Sequence, residues 1–333
     1  MTSEAMTGPV LAVDVGGTKL AAALVDQAGQ VLRSSSRPTP AADGAAVWST
    51  LVVLLDDVVA GEPVAGVGIG CGGPMAWPAG VVSPLNLPGW RDFPLRARLA
   101  ERFPGLPVRL HNDAIALVAA EHWRGAARGY DNALAIIVAT GVGGGLVQAG
   151  QVVDGASGNA GHVGHVVVEP AGPDCGCGGR GCLEAVARGP ALAAWALEQG
   201  WQPSGDATAA GLAADARSGD QCAGAAFDRA GSALGLAIAS VAATCDLEVV
   251  VVGGGLVGSW DLLAPPLDRT LRRHARLPFT RTLPVVPAAL GSAAFLVGAA
   301  ALVLRGDASW HGDVQSEGRA EAEPARQDWH GDG

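Results

Sequence analysis

Apolar and polar positions along the chain fall into a unit that occurs twice. Val10–Val15 reads as a strand that meets Gly16-Gly17-Thr18-Lys19; Leu20–Val25 then runs apolar into a turn at Asp26-Gln-Ala-Gly29, and Val31 resumes. Strand, glycine turn, strand predicts a β-hairpin. The pattern recurs at Leu134 to Thr140, with a glycine turn over Gly141-Val-Gly-Gly-Gly145 and a second strand from Leu146 to Val153. Two such units predict an internally duplicated α/β architecture.

Between them the pattern predicts a helix near 46–60, a strand at 64–69, a Pro/Gly-rich loop over 72–90 and a strand at 108–110. His111-Asn112-Asp113 closes that strand and opens a helix to about Trp123. Asn and Asp are good N-caps, and a carboxylate is favoured at the free amides of a helix start, so Asp113 has a purely structural reading as well as a chemical one. Further helices are expected near 190–199, 207–218 and 221–245, the last almost uniformly apolar and therefore buried. A strand over 247–252 ends in Gly253-Gly254-Gly255, and a helix follows from Trp260.

Leu283–Leu304 carries no charge and is long enough to cross a bilayer. Its Ala and Gly content and its breaks at Pro284, Pro287 and Gly291 favour a buried helix over about 291–305, with small faces that let a neighbour pack closely.

At 333 residues and 49% hydrophobic content, the chain is too long for one small core and reads as two lobes. The expected division is 8–113 and 114–290, with the 291–305 helix completing the first lobe. The start has no basic region and no long apolar run, so a cytoplasmic protein is expected. A net charge of -10 argues against nucleic acid, which needs clustered Lys and Arg. Half of that charge lies in 306–333, where seven acids and two arginines accompany almost no aliphatic residues; a disordered acidic tail is expected there.

Three of six cysteines, Cys175, Cys177 and Cys182, lie within eight residues of one another, ten residues after His165 begins the stretch. Three thiolates and an imidazole make a closed tetrahedral set for a structural zinc ion, and intervening glycines let the backbone fold around it. Disulfides are the alternative, disfavoured without an export signal.

Glycine turns let a polyphosphate approach the backbone amides, since no Cβ intervenes. Asp14 and Thr18 would flank a phosphate and its magnesium, and Thr140 would offer a hydroxyl from the second unit. Neither turn is a GxxxxGK[ST] loop. GxGxxG occurs at 68–73, 176–181 and 253–258, but no ribose-binding acid follows the third, the only one set between a strand and a helix. Gly253–Gly255 is read instead as a nucleotide-contacting turn.

Together, Asp14-Val-Gly-Gly-Thr-Lys19, Asn112-Asp113, Thr140-Gly-Val-Gly-Gly-Gly145, Ala160-Gly-His-Val-Gly-His165 and Cys175-Gly-Cys-Gly-Gly-Arg-Gly-Cys-Leu-Glu184 resemble the ROK family of sugar kinases and repressors over residues 10 to 305. The resemblance implies the actin-like, ribonuclease H-like ATPase fold with two lobes and a zinc loop over 165–182. It implies Asp113 as the general base on a sugar 6-hydroxyl, and Gly73, Asn112, His162, His165 and Glu184 as sugar-binding residues. It implies that Asp14, Gly16, Gly17, Thr18, Lys19, Thr140, Gly141, Gly143 and Gly253–Gly255 hold ATP and magnesium. The zinc ligands are then His165, Cys175, Cys177 and Cys182, and a homodimer or tetramer is expected, with no membrane or nucleic-acid partner.

One position departs from the family. Many members carry Glu three residues before the zinc histidine, where it accepts from sugar hydroxyls; here it is His162, and Ala-Gly-His-x-Gly-His resembles bacterial N-acetylmannosamine kinases. Imidazole offers a donor that an acetamido carbonyl can use. N-acetylmannosamine is the favoured substrate, with glucose or an aminoglucose such as kanosamine as alternatives, and polyphosphate as an alternative to ATP. A family repressor carries a winged helix-turn-helix ahead of the first hairpin. Only about nine residues precede Val10, so an enzyme is expected.

Overall fold

A computed structural model describes residues 8–41, 43–84 and 86–306; the expected acidic tail from 307 onward lies outside the described residues. The first half begins with a meander of β1 (Val10–Val15), β2 (Lys19–Val25) and β3 (Val31–Pro38), then α1 (Gly44–Val59) and β4 (Gly66–Cys71). The 72–90 segment, expected as a loop, contains a short hairpin of β5 (Met75–Ala76) and β6 (Val81–Val82). It is anchored by fully buried Trp90, whose Nε1 donates to the Gly44 carbonyl. Next come α2 (Leu95–Arg102), which the pattern did not predict, and β7 (Val108–Asn112). With only eight residues, three of them arginine and two of them buried, α2 carries too little apolar periodicity to register.

After α3 (Asp113–Arg124) the second half opens with β8 (Ala133–Val138), β9 (Val142–Gln148) and β10 (Gln151–Val152). A 3-10 turn at Val163–His165 leads past the cysteines to α4 (Leu183–Ala187), α5 (Gly189–Glu198), α6 (Ala209–Arg217) and α7 (Gln221–Cys245). The chain finishes with β11 (Val249–Gly253), α8 (Trp260–His274), β12 (Val285–Pro287) and α9 (Ala294–Leu304).

Two five-stranded mixed sheets result, in the orders β3-β2-β1-β4-β7 and β10-β9-β8-β11-β12. Each places two meander strands outside a founding strand and then adds two strands parallel to it. The duplication read from the glycine units is therefore a duplication of topology, consistent with the actin-like fold. One detail is corrected: Val138 pairs with Val142, so the second turn spans only 139–141 and Gly143–Gly145 lie inside β9. Those glycines make room for neighbours, since a Cβ at Gly145 would stand 2.8 Å from the Ala114 carbonyl of α3.

The apolar segment after Leu283 is not a span; among the described residues no helix is long and apolar enough to cross a membrane. It forms β12, a 3-10 turn at Gly291–Ala293 and the buried α9. A Cβ at Gly298 would lie 1.9 Å from the Ala116 carbonyl, and one at Gly68 would lie 1.8 Å from the Ala299 carbonyl. Glycine at these two points lets α9 touch α3 and β4 backbone to backbone. Glu121 secures the start of α9: fully buried, it accepts from the backbone N–H groups of Ala126, Ala289 and Leu290 at 2.7, 3.1 and 3.0 Å. Three donors compensate a carboxylate that burial would otherwise penalise.

Candidate active site and metal centre

Parallel strands deliver their carboxyl ends to one edge of a sheet, where open α/β sheets bind ligands. Register places Asp14 beside Gly70 and Gly70 beside His111, so Asp14, the Cys71-Gly72-Gly73 segment and Asn112-Asp113 emerge side by side. Asn112, not Asp113, is the N-cap of α3: its side chain accepts from Ala114 N–H at 2.9 Å. Asp113 is the first helical residue, with Oδ1 2.7 Å from the same amide and Oδ2 4.0 Å from where a Cβ on Gly72 would stand. Asn112 Nδ2 lies likewise against Gly73, 3.4 Å from its would-be Cβ.

Burial raises the Asp113 pKa; the Ala114 amide and nearby His162 oppose this. Asp14 is raised to about 7, first by burial and then by the charge of Asp113, with Lys19 pulling the other way. Burial is the leading cause at both carboxylates, and at Asp14 the like charge of Asp113 adds to it. Cys71, fully buried beside them, has its thiol pushed up by burial and by the same two acids.

The first glycine turn is closed by Gly16 N–H donating to the Lys19 carbonyl at 3.0 Å. It is braced by Thr39, whose hydroxyl donates to the Gly16 carbonyl at 2.8 Å. A cavity of about 220 Å³ opens beside it, lined by Asp14, Gly16, Thr18 and Lys19 and, across from them, by Ser292, Phe295 and Leu296. Ser292 and Phe295 were not legible as site residues, since more than 270 residues separate them from the turn. Asn86 was missed too: its side chain lies 2.7 Å from where a Cβ on Gly17 would be and 3.6 Å from that on Gly72, between the first glycine turn and the segment beside Asp113.

In the second half, Thr140 and Gly141 form the turn after β8. Glu184, in the first turn of α4, accepts from Val142 N–H at 3.0 Å with Oε2, the oxygen nearest Gly141. One oxygen of this expected sugar ligand is thus committed to the backbone. Gly143, expected in the phosphate turn, packs in β9 against Ala114, 3.2 Å from its would-be Cβ. Gly253 and Gly254 are pressed against Leu117 and the Val138 carbonyl, while Gly255 faces open space at the start of a short 3-10 turn. His162 and His165 stack with ring centroids 6.2 Å apart. Burial lowers the His162 pKa, as does His165, against Asn159, Asp113 and Glu184. His162 is therefore neutral near pH 7, and it lies within electrostatic reach of the catalytic candidate.

His165, Cys175, Cys177 and Cys182 present donor atoms that all lie within 4.8 Å of one another. Cys177 and Cys182 sulfurs are 3.8 Å apart, and Cys175 sulfur is 3.8 Å from His165 Nδ1. Zinc–sulfur bonds of about 2.3 Å put tetrahedral sulfurs about 3.8 Å apart, so the set fits that ion. Burial and the two neighbouring thiols push Cys182 up to about 12, a crowding that a divalent cation would relieve. Using Nδ1 leaves His165 Nε2 for another partner. Cys71, Cys222 and Cys245 stand apart from this cluster as free thiols.

The model of the ROK family matches residues 10–306. Over 309 residues the chain is 36% identical to a glucokinase of Thermotoga maritima, covering 88% of this chain and 96% of that protein. It is 36% identical over 297 residues to an N-acetylmannosamine kinase of Yersinia pseudotuberculosis, covering 88% and 97%. Among solved structures, a ROK glucokinase from Streptomyces griseus in complex with glucose and AMPPNP superposes with a TM-score of 0.77 at 31% identity, over 89% of this chain and 99% of that one. A ROK transcriptional regulator, a homolog of the E. coli MLC protein, gives 0.79 at 26% identity, over 90% of this chain and 78% of that one. A family match across both sheets, both glycine turns and the Cys/His cluster has one meaning: this chain is a member of the ROK family.

Proposed function

We propose that the protein is an ATP-dependent sugar kinase that transfers the γ-phosphoryl group to the 6-hydroxyl of a hexose or acetamido-hexose, N-acetylmannosamine in particular. The observation that carries this reading is Asp113. It is a partly buried carboxylate of raised pKa at the carboxyl edge of the first sheet, in a helix whose cap is already supplied by Asn112. A carboxylate that structure does not need as a cap, held where solvent is sparse, is suited to accept a proton.

In this reading Asp113 takes the proton of the attacking hydroxyl while Asn112, Gly73, His162, His165 and Glu184 orient the sugar. Asp14, Gly16–Lys19, Thr140, Gly141 and Gly255 receive the nucleotide phosphates and magnesium. Positioning and charge stabilisation supply most of the rate in phosphoryl transfer, and two glycine turns with open backbone amides suit that task. A zinc ion on His165, Cys175, Cys177 and Cys182 would brace the sugar loop and do no chemistry of its own. The lobes are taken as 8–113 with α9, and 114–290.

N-acetylmannosamine is favoured by His162, which in its neutral form offers one donor and one acceptor where a carboxylate offers only acceptors. The assay is ATP-dependent phosphorylation across glucose, N-acetylmannosamine, N-acetylglucosamine and aminoglucoses. Transfer to at least one hexose supports the reading; sugar binding without transfer to any would favour a non-catalytic sugar-sensing regulator.

A further inference from the structure

His111 is fully buried as the penultimate residue of β7, immediately before Asn112 and Asp113, and the kinase reading gives it no task. Its Nδ1 lies 2.7 Å from the Asn112 backbone nitrogen, and its Nε2 lies 3.2 Å from Oδ1 of Asp154, itself 9% exposed. A backbone N–H can only donate, so Nδ1 must present its lone pair. The imidazole is then the neutral Nε2–H tautomer, and Nε2 donates to the Asp154 carboxylate.

This short chain of hydrogen bonds joins the two sheets. His111 belongs to the first, whereas Asp154 follows β10 of the second and starts the 154–161 loop that delivers His162. The loop is closed by Ala160 N–H donating to the Asp154 carbonyl at 3.0 Å. It also rests on the first half: a Cβ at Gly158 would stand 2.5 Å from Trp77, and the Trp77 and His111 rings lie 5.9 Å apart. Trp77 and His111 thus hold one loop from the β5–β6 hairpin and from β7.

We propose that His111 and Asp154 are positioning residues for sugar phosphorylation: a buried clasp that fixes the Asn112-Asp113 backbone and sets the His162 loop against it. The proposal rests on the kinase reading for its consequence, though not for its geometry. Asp113, at the end of the first sheet, and His162, on a loop of the second, must hold one sugar between them, and misplacement by about 1 Å costs on the order of 100-fold in rate.

The test is a set of variants assayed for steady-state kinetics with the best hexose and ATP, well below each variant's melting temperature. Asp154→Ala and His111→Phe should each lower kcat/KM for sugar by about 10- to 100-fold and raise sugar KM, while ATP KM stays within about twofold. Asp154→Asn should recover most of the loss, because an amide oxygen accepts the same hydrogen bond. In the His111→Phe background, Asp154→Ala should cost almost nothing further. A merely structural role would reduce the active fraction and leave both KM values alone. Sugar kinetics unchanged by either variant, additive losses, or Asp154→Asn as poor as Asp154→Ala would overturn the clasp. Nitrogen-15 NMR of histidine-labelled protein reads the geometry without activity: a protonated Nε2 and bare Nδ1 for His111 is expected, with the Nε2–H resonance shifted when Asp154→Ala removes its acceptor; the other tautomer, or an Nε2–H resonance unmoved in Asp154→Ala, refutes it. If wild type transfers phosphate to no hexose, the kinase reading fails, and the clasp is still decided by that spectrum.

Discussion

Glu184 accepts a hydrogen bond from Val142 N–H at 3.0 Å, which fastens the helix after the cysteine cluster to the strand that leaves the second glycine turn. A metal on the cluster would therefore steady more than the loop proposed to hold sugar. One zinc per chain is expected by metal analysis, and Cys177→Ser should lose it, since each structural ligand closes the tetrahedron. Because Glu184 spans both regions, the variant should weaken ATP as well as sugar. Active protein free of zinc would contradict this.

Lys19 is the only lysine in the chain, and it lines the cavity of the first glycine turn beside Asp14. An amine-reactive reagent should modify only Lys19 and the N-terminal amine. Magnesium-ATP should protect Lys19, since a bound phosphate would cover it; peptide mapping reads the result. Equal labelling with and without nucleotide would remove Lys19 from the phosphate site.

The raised pKa of Asp14 has a thermodynamic sign. Its folded value is about 7 against an ordinary 3.8, so between those values the unfolded chain has released a proton that the folded one retains. Stability without divalent ions should fall as pH rises from about 4 to about 7, and the penalty persists above. Asp113 acts in the same direction. Melting temperatures at pH 5 and pH 8 should differ less in Asp14→Asn, and less again when magnesium-ATP favours the ionised carboxylate. An Asp14→Asn profile identical to wild type would show that the acid does not titrate as described.

His162 is the specificity residue in the kinase reading. Wild type should prefer an acetamido-sugar to glucose, and His162→Glu should move the kcat/KM ratio toward glucose at least tenfold, because a carboxylate repels a carbonyl oxygen that imidazole can bond. Glucose preferred by wild type, with the ratio unmoved in the variant, would assign the protein as a glucokinase.

Where chemistry repeats along the chain, the sequence announced it. Both hairpins, the thiol cluster and the Asn112-Asp113 pair are local, and spacing alone locates them. The same locality misled at Gly143–Gly145, where a glycine run that looked like a turn is a strand thinned for α3 and the 161–163 loop. Long-range partners left no signal. Asn86 lies in a proline-rich stretch with no period, Ser292 and Phe295 reach the first turn only because α9 folds back on β1 and β4, and His111 finds Asp154 across 43 residues. Nothing local marks Glu121 either, since the three backbone amides that converge on it come from just past the end of α3 and from the chain ahead of α9.

Turnover by Asp113→Asn tests the account most directly. Asn112 supplies the cap, so the substitution should change stability by less than about 1 kcal/mol, whereas removing a general base should slow kcat by roughly 10² to 10⁴ with substrate binding retained. A folded variant that binds sugar and ATP but turns over at that reduced rate is the predicted result. A variant that keeps most of its wild-type turnover, or loses it only by unfolding, would contradict a catalytic Asp113.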